Sequence, residues 1–195
     1  GIYCGIAFYT LLTLCFTYLA MRKIGKNRIN AYVVALVYGF CTYRTIDGFT
    51  RFALGEYLAM VFIPLAFYGV YAILFGKKKD WPYLALGLSF IFLSHILSTF
   101  ISVIIMALLF LVAFPKMKER FARIKTLIYA VVVFILSSAI FLFPLIEQIM
   151  FQKYGQPSPQ NLFENAPSFG QLVQNSLSND MTRAVDGNVY NIGLL

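Results

Sequence analysis

Residues 81–114 read WPYLALGLSFIFLSHILSTFISVIIMALLFLVAF and contain no Asp, Glu, Lys or Arg. As one α-helix this stretch would be about 51 Å long, which is too long for a single crossing of a hydrocarbon core of about 30 Å without extreme tilt. Its main polar cluster is the segment Ser94-His95-Ile-Leu-Ser98-Thr99. We therefore predict a tight hairpin at this segment, which joins two short membrane spans.

The basic residues cluster in three short loops between apolar stretches. The clusters are Arg22, Lys23, Lys26 and Arg28; Lys77, Lys78 and Lys79; and Lys116, Lys118, Arg120, Arg123 and Lys125. A hairpin within residues 81–114 returns the third cluster to the side of the first two, as the positive-inside rule requires. The 12 basic residues of the clusters minus Asp80 and Glu119 give +10, and the other 4 basic residues minus 6 acidic ones give −2, for a net charge of +8. This asymmetry predicts that the three loops face the cytoplasm.

The composition points to the same class of protein. Hydrophobic residues make up 60% of the chain and charged residues 12%, whereas a soluble domain is about 25% charged. The basic loops are too short and dispersed to form a groove for nucleic acid, so we expect no nucleic-acid partner. The pattern is typical of a multi-pass protein of the bacterial cytoplasmic membrane, with membrane lipid as its surroundings.

We therefore predict an all-α integral membrane protein, a polytopic helix bundle with about six spans. The spans are expected at about 1–21, 29–43, 53–75, 82–94, 98–114 and 126–146, and together make a transmembrane bundle over residues 1–146. Residues 147–188 are expected to form an extracytoplasmic loop with a short amphipathic helix at 168–179, and residues 189–195 to begin a further span. Because the chain starts at Gly1 and ends in an apolar segment, we expect it to be a fragment of a longer protein.

The best candidate for a binding site lies between the second and third predicted spans. Arg44, Asp47 and Arg51 fall at i, i+3 and i+7, so in a helix they would share one face. Two guanidinium groups beside a carboxylate can bind a phosphate bidentately. Glu56 lies at the outer end of a span, where a carboxylate is costly unless it has an ionic or hydrogen-bond partner, contact with water or a functional role. The alternative is structural: Arg51 and Glu56 form an ion pair, and Arg44 extends to lipid headgroups.

His95 is the only histidine, and it precedes Ser98, Thr99 and Ser102 on one face of an apolar helix. It could donate to a phosphate oxygen or relay a proton. Alternatively, Ser94 or Ser98 caps the second helix of the hairpin while His95 satisfies a backbone carbonyl. A single histidine without other ligands does not indicate a metal site. No cofactor is indicated by these residues, and a divalent metal in a full-length protein stays open.

Three short motifs resemble a known group of proteins. They are Arg51-Phe-Ala-Leu-Gly-Glu56, Phe62-Ile-Pro-Leu65 and Leu93-Ser-His95. In these motifs, and in its layout of basic inner loops, Pro-containing span and Ser-His hairpin, the chain resembles bacterial multi-spanning envelope proteins of the YfhO and 6-pyruvoyl-tetrahydropterin-synthase-related membrane groups, which are GT-C-like.

The resemblance implies a GT-C-like membrane glycosyltransferase. Such an enzyme transfers a sugar from a polyprenyl-phosphate carrier to an envelope glycan or polymer acceptor outside the cytoplasm. By this resemblance Arg44, Arg51 and His95 would hold the donor phosphate, and Asp47 and Glu56 are weak candidates for the catalytic carboxylate, which such enzymes often place in an earlier loop. Two alternatives remain: a component of a transporter or flippase for lipid-linked glycans, and a non-catalytic membrane scaffold.

Overall fold

The computed structural model describes residues 1–151, which form seven α-helices and no strand. The helices are α1 (Ile2–Gly25), α2 (Arg28–Gly39), α3 (Thr42–Phe49), α4 (Leu54–Leu74), α5 (Pro82–Ser94), α6 (Ile96–Ala113) and α7 (Arg120–Phe151). Short 3₁₀ turns at Lys78–Asp80 and Phe114–Lys116 precede α5 and follow α6. The prediction of an all-α architecture is therefore confirmed for the described part of the chain.

Helices α4 and α5 form the centre of the bundle and pack antiparallel at very short range. A Cβ atom on Gly69 would lie 2.2 Å from the backbone nitrogen of Leu84, and one on Gly87 would lie 2.6 Å from that of Ala66. No side chain larger than hydrogen fits at either position, so the two glycines allow the helix backbones to touch. Contacts of α4 with α1, α6 and α7 complete the bundle around this pair.

The three basic loops meet at one end of the bundle, which we call the basic end. Lys23 at the end of α1 donates a hydrogen bond of 3.0 Å to the hydroxyl of Tyr83 at the start of α5. Lys78 pairs with Glu119, which precedes α7. Arg123 donates a hydrogen bond of 2.5 Å to the carbonyl of Ile73 near the end of α4. These contacts connect loops 22–28, 77–80 and 116–125.

The apolar stretch 81–114 is divided at His95, which lies between α5 and α6 in an extended conformation. The Nδ1 atom of His95 accepts a hydrogen bond from the backbone N–H of Ser98, so the histidine itself is the N-cap of α6. Its neighbour Ser94 packs its carbonyl against Gly55 at the start of α4. We call this end of the bundle, which also contains α3, the far end.

Four of the described helices are long and apolar enough to cross a membrane. They are α1, α4, α6 with the 3₁₀ turn that follows it, and α7. Many apolar side chains on α6 and α7 are exposed; Val112, for example, is 77% exposed and Ile140 84%. Large exposed apolar surfaces are unusual on a soluble monomer and are expected on helices that face lipid.

The helix bounds differ from the predicted spans most clearly at α2–α3 and at α7. The predicted span 29–43 is divided, because α2 ends at Gly39, a poor helix former, and α3 begins at Thr42. α2 has 12 residues and α5 has 13, which at about 1.5 Å per residue is short for a full crossing, so the count of six spans stays a prediction. α7 continues to Phe151, so residues 147–151 are helical and do not belong to a loop. The remainder of the predicted loop, its amphipathic helix and the segment 189–195 lie outside the described residues.

The α4–α5 contact predicts a specific sensitivity to small substitutions. Gly87→Ala should lower the free energy of unfolding by about 1–3 kcal/mol, because the added methyl group forces two helix backbones apart. Gly5→Ala is the matched control, since a Cβ at Gly5 meets nothing within 4 Å and alanine favours a helix. Thermal unfolding in detergent measures both. Equal midpoints for Gly87→Ala and Gly5→Ala would contradict the described packing.

Candidate functional site

Arg44 on α3 is a deeply buried positively charged side chain at the far end. It is 1% exposed, although it lies on a helix of only eight residues. Its guanidinium group donates hydrogen bonds to the carbonyl of Tyr57 on α4 at 3.0 Å and, at 3.4 Å, to the carbonyl of Tyr9 on α1. Arg44 therefore connects three helices through backbone acceptors. The predicted alternative, in which Arg44 extends to lipid headgroups, is wrong because the side chain points into the bundle.

Tyr57 completes the surroundings of Arg44. The Arg44 guanidinium stacks 3.8 Å from the centroid of the Tyr57 ring, a cation–π contact that burial strengthens. The Tyr57 hydroxyl donates to the carbonyl of Ile6 at 3.1 Å and lies 2.7 Å from the hydroxyl of Thr10. The sequence analysis missed this residue; its only signal is that it directly follows Glu56 at the start of a span.

A cavity of about 510 Å³ opens beside Arg44. Most of its wall is apolar and comes from α1, with residues such as Ile6 and Leu11, and from Phe40 and Phe49 around α3. Its polar side chains are those of Tyr3, Thr10, Arg44, Thr45 and Tyr57. The Nε atom of Arg44 is buried and has no hydrogen-bond partner among the described residues. A buried, unpaired N–H of a charged group costs free energy.

Arg51 has a different environment, because it lies beyond the end of α3. Its Nη1 atom is 3.3 Å from a carboxylate oxygen of Asp47 and 3.2 Å from one of Glu56. Tyr43 donates a hydrogen bond to the other oxygen of Glu56. The next residue, Phe52, has a φ of 57°, a left-handed conformation that is uncommon without glycine and that turns the chain back towards α4. We call these four side chains, Tyr43, Asp47, Arg51 and Glu56, the carboxylate network.

The predicted pair of arginines on one helical face is therefore not formed. Arg44 faces the cavity, whereas Arg51 neutralises two carboxylates. The alternative prediction of an ion pair between Arg51 and Glu56 is confirmed, and Asp47 is a second partner that this alternative did not include.

Electrostatics distinguish the two carboxylates of the network. Burial, and secondarily the charge of Glu56, raise the pKa of Asp47 to about 6, against the opposing effect of Arg51. One oxygen of Asp47 is buried without a hydrogen-bond partner among the described residues. The side chain of Glu56 is 21% exposed. Glu56 is thus the carboxylate that a molecule from the surface can reach.

His95 lines a second cavity, of about 610 Å³, between the α5–α6 turn and Phe141 of α7. Its Nδ1 atom accepts the Ser98 N–H, so the neutral ring carries its proton on Nε2 and can donate a hydrogen bond there. The ring also lies close to Gly55, next to Glu56. His95 does not line the cavity at Arg44. Within residues 1–151, no three His, Cys, Asp or Glu side chains come together in a way that could hold a metal ion.

The raised pKa of Asp47 predicts how stability changes with pH. A carboxyl group whose pKa is higher in the folded than in the unfolded state takes up a proton on folding at intermediate pH, so its contribution to stability is fully present below the unfolded-state pKa of 3.8 and is lost as the pH rises through about 6. Besides Asp47, the charged groups nearby are Arg44, Arg51 and Glu56. Asp47→Asn should therefore reduce the fall in thermal midpoint between pH 4.5 and 7.

Glu119→Gln is the control, because Glu119 changes the stability with pH in the opposite direction to Asp47. The hydrogen bond and charge of Lys78 hold the pKa of Glu119 below its ordinary value, so this exposed group stabilises the fold at neutral pH and loses that effect as the pH falls. The measurement is thermal unfolding in detergent from about pH 3 to 7, because the Glu119 contribution changes only below its ordinary pKa of 4.5. An unchanged pH profile for Asp47→Asn would show that Asp47 titrates normally.

Comparison of the chain with protein-family models, with curated proteins and with solved structures finds no match.

Proposed function

We propose that this chain binds the phosphate group of a polyprenyl-phosphate-linked sugar at the far end of the bundle and acts as a GT-C-like membrane glycosyltransferase. The observation that carries the proposal is the buried Arg44 guanidinium beside a largely apolar cavity. In this proposal the basic loops face the cytoplasm of a bacterium, and the far end faces the opposite side.

The chemistry of Arg44 suits a phosphate. A guanidinium group has five N–H donors, and two of its nitrogens donate to the carbonyls of Tyr57 and Tyr9. These bonds and the Tyr57 ring hold the planar group in one orientation, while Nε has no partner among the described residues. A pre-oriented donor loses little conformational entropy when it binds an anion.

The walls of the cavity suit an isoprenoid chain. Side chains such as Ile6, Leu11 and Phe40 surround the guanidinium with apolar surface. A free inorganic phosphate would gain nothing from that surface, whereas a polyprenyl phosphate can place its first isoprene units against it. The combination of one cation with apolar walls thus favours a lipid-borne phosphate.

The carboxylate network supplies the remaining chemistry of glycosyl transfer. The acceptor hydroxyl attacks the anomeric carbon, the bond from that carbon to the phosphate oxygen breaks, and the proton of the hydroxyl passes to a carboxylate. Arg44 stabilises the negative charge on the departing polyprenyl phosphate. Glu56 is the better placed base because it is partly exposed, while Asp47 is buried. Arg51 orients Glu56, whereas His95 lines the second cavity and takes no part in this step.

A second candidate function is a non-catalytic scaffold. The observation that favours it is the pairing within the carboxylate network, since Arg51 contacts Asp47, Glu56 and Tyr43 and has the geometry of a structural ion pair. In that case Arg51 and Glu56 contribute stability and no chemistry. A transporter of lipid-linked glycans is a third reading, which would use Arg44 as a headgroup site without bond cleavage.

Binding of farnesyl phosphate tests the role of the cavity. Leu11→Trp should fill the cavity and weaken binding, whereas Leu19→Trp, an equally exposed position on the same helix that does not line the cavity, should not. Arg44→Lys should weaken binding roughly 10-fold to 100-fold, because a hydrogen bond to a charged group contributes about 1.5–3 kcal/mol. Native mass spectrometry of the full chain in detergent, with farnesol as the uncharged control ligand, measures these effects.

Transfer of a labelled sugar from polyprenyl phosphate then distinguishes the candidates. The glycosyltransferase proposal predicts that Glu56→Gln retains binding and loses transfer. Binding without transfer in the wild type would favour the transport reading. Equal binding of farnesyl phosphate by wild type, Arg44→Lys and Leu11→Trp, all with unchanged thermal midpoints, would contradict the proposed site.

A further inference from the structure

A groove of about 240 Å³ lies between α4 and α6 at the basic end, away from the site described above. Its floor includes the buried side chains of Val70 and Leu74 on α4. Its other wall comes from Leu109 and Val112 on α6, and its mouth is at Lys116, just after that helix. On α4 the lining extends from Phe67 to Phe75, which is about 12 Å along the helix axis.

The groove is open on the outer surface of the bundle. Val112 is 77% exposed and Leu109 is 36% exposed. Both belong to α6, which is apolar enough to cross a membrane. A groove between two such helices faces the acyl chains of the bilayer, and its apolar walls offer no selectivity for one lipid over another. Selectivity has to come from its polar end.

The polar end carries an unneutralised positive charge. Lys116 is exposed and makes no hydrogen bond or ion pair with any described residue. The two carboxylates of the basic end are already engaged, since Asp80 contacts Lys23 and Tyr68 while Glu119 pairs with Lys78. The basic loops carry 12 basic against 2 acidic residues. The described part of the chain therefore supplies no free carboxylate for Lys116.

We propose that this groove binds an anionic phospholipid, with the phosphate diester on Lys116 and part of one acyl chain between α4 and α6. Basic pockets between membrane helices, at the end with positive loops, suit anionic headgroups, and each nearby lysine contributes roughly 1 kcal/mol. The charge of Lys116 lies at the basic end of the groove, where the lipid phosphate would lie, and the apolar walls extend from there along the path of the acyl chain. The site is independent of Arg44 and of the proposed transfer reaction.

The test is competitive lipid binding to the delipidated full chain in detergent. Native mass spectrometry follows the retention of phosphatidylglycerol and of phosphatidylcholine with matched acyl chains. Wild type should retain phosphatidylglycerol in preference. Lys116→Gln should weaken phosphatidylglycerol binding about fivefold and leave phosphatidylcholine unchanged, because one favourable charge is lost. Lys118→Gln is the matched control, since Lys118 is exposed, equally charged and outside the groove lining.

A second pair of variants tests the groove itself. Val112→Trp should fill the groove and reduce binding of both lipids, whereas Leu111→Trp, 66% exposed on the same helix but outside the lining, should not. Both positions are exposed, so the core packing is unaffected. Equal losses for Lys116→Gln and Lys118→Gln would overturn the proposal in favour of a diffuse charged surface. Undiminished binding by Val112→Trp would overturn it as well.

Discussion

The burial of a single guanidinium group constrains the whole far end of the bundle. A buried charge is strongly destabilising unless it finds hydrogen-bond partners. The Nη1 and Nη2 atoms of Arg44 find theirs only if α1, α3 and α4 lie where the carbonyls of Tyr57 and Tyr9 can accept from them. α3 has eight residues, too few to be a stable helix by itself. Its position therefore depends on these contacts, and so does the shape of the cavity beside it.

The two ends of the bundle have different electrostatic designs. At the basic end, loop lysines and arginines outnumber carboxylates, and several of them have no ion-pair partner within residues 1–151. At the far end, positive and negative groups are nearly balanced, and Arg51 holds two carboxylates together. The helices α4 and α5 run antiparallel between the two ends and pack closely at Gly69 and Gly87. This packing fixes the distance between the two groups of charges. Among the described residues, the far end is thus where opposite charges are most closely matched.

The parts of the fold that follow from length and hydrophobicity could be predicted from the sequence. The break near His95 was expected because residues 81–114 are too long for one crossing, and the structure has it at that residue. The opposite directions of Arg44 and Arg51 could not be predicted. The i, i+3, i+7 pattern assumes a continuous helix, whereas α3 ends at Phe49 and the chain reverses through Phe52 with a positive φ. The role of Tyr57 depends on contacts with α1, which lie about 50 residues earlier in the chain and leave no local pattern.

The proposed function requires that a lipid-borne phosphate binds to Arg44 inside the apolar cavity. Its most direct test is an experimental structure of the full chain with a bound polyprenyl phosphate, determined by electron cryo-microscopy in lipid nanodiscs. If the proposal is correct, we expect density for the phosphate within hydrogen-bond distance of the Arg44 guanidinium and density for the first isoprene units along α1. A phosphate located only at the basic end, or an empty cavity at saturating ligand, would contradict it.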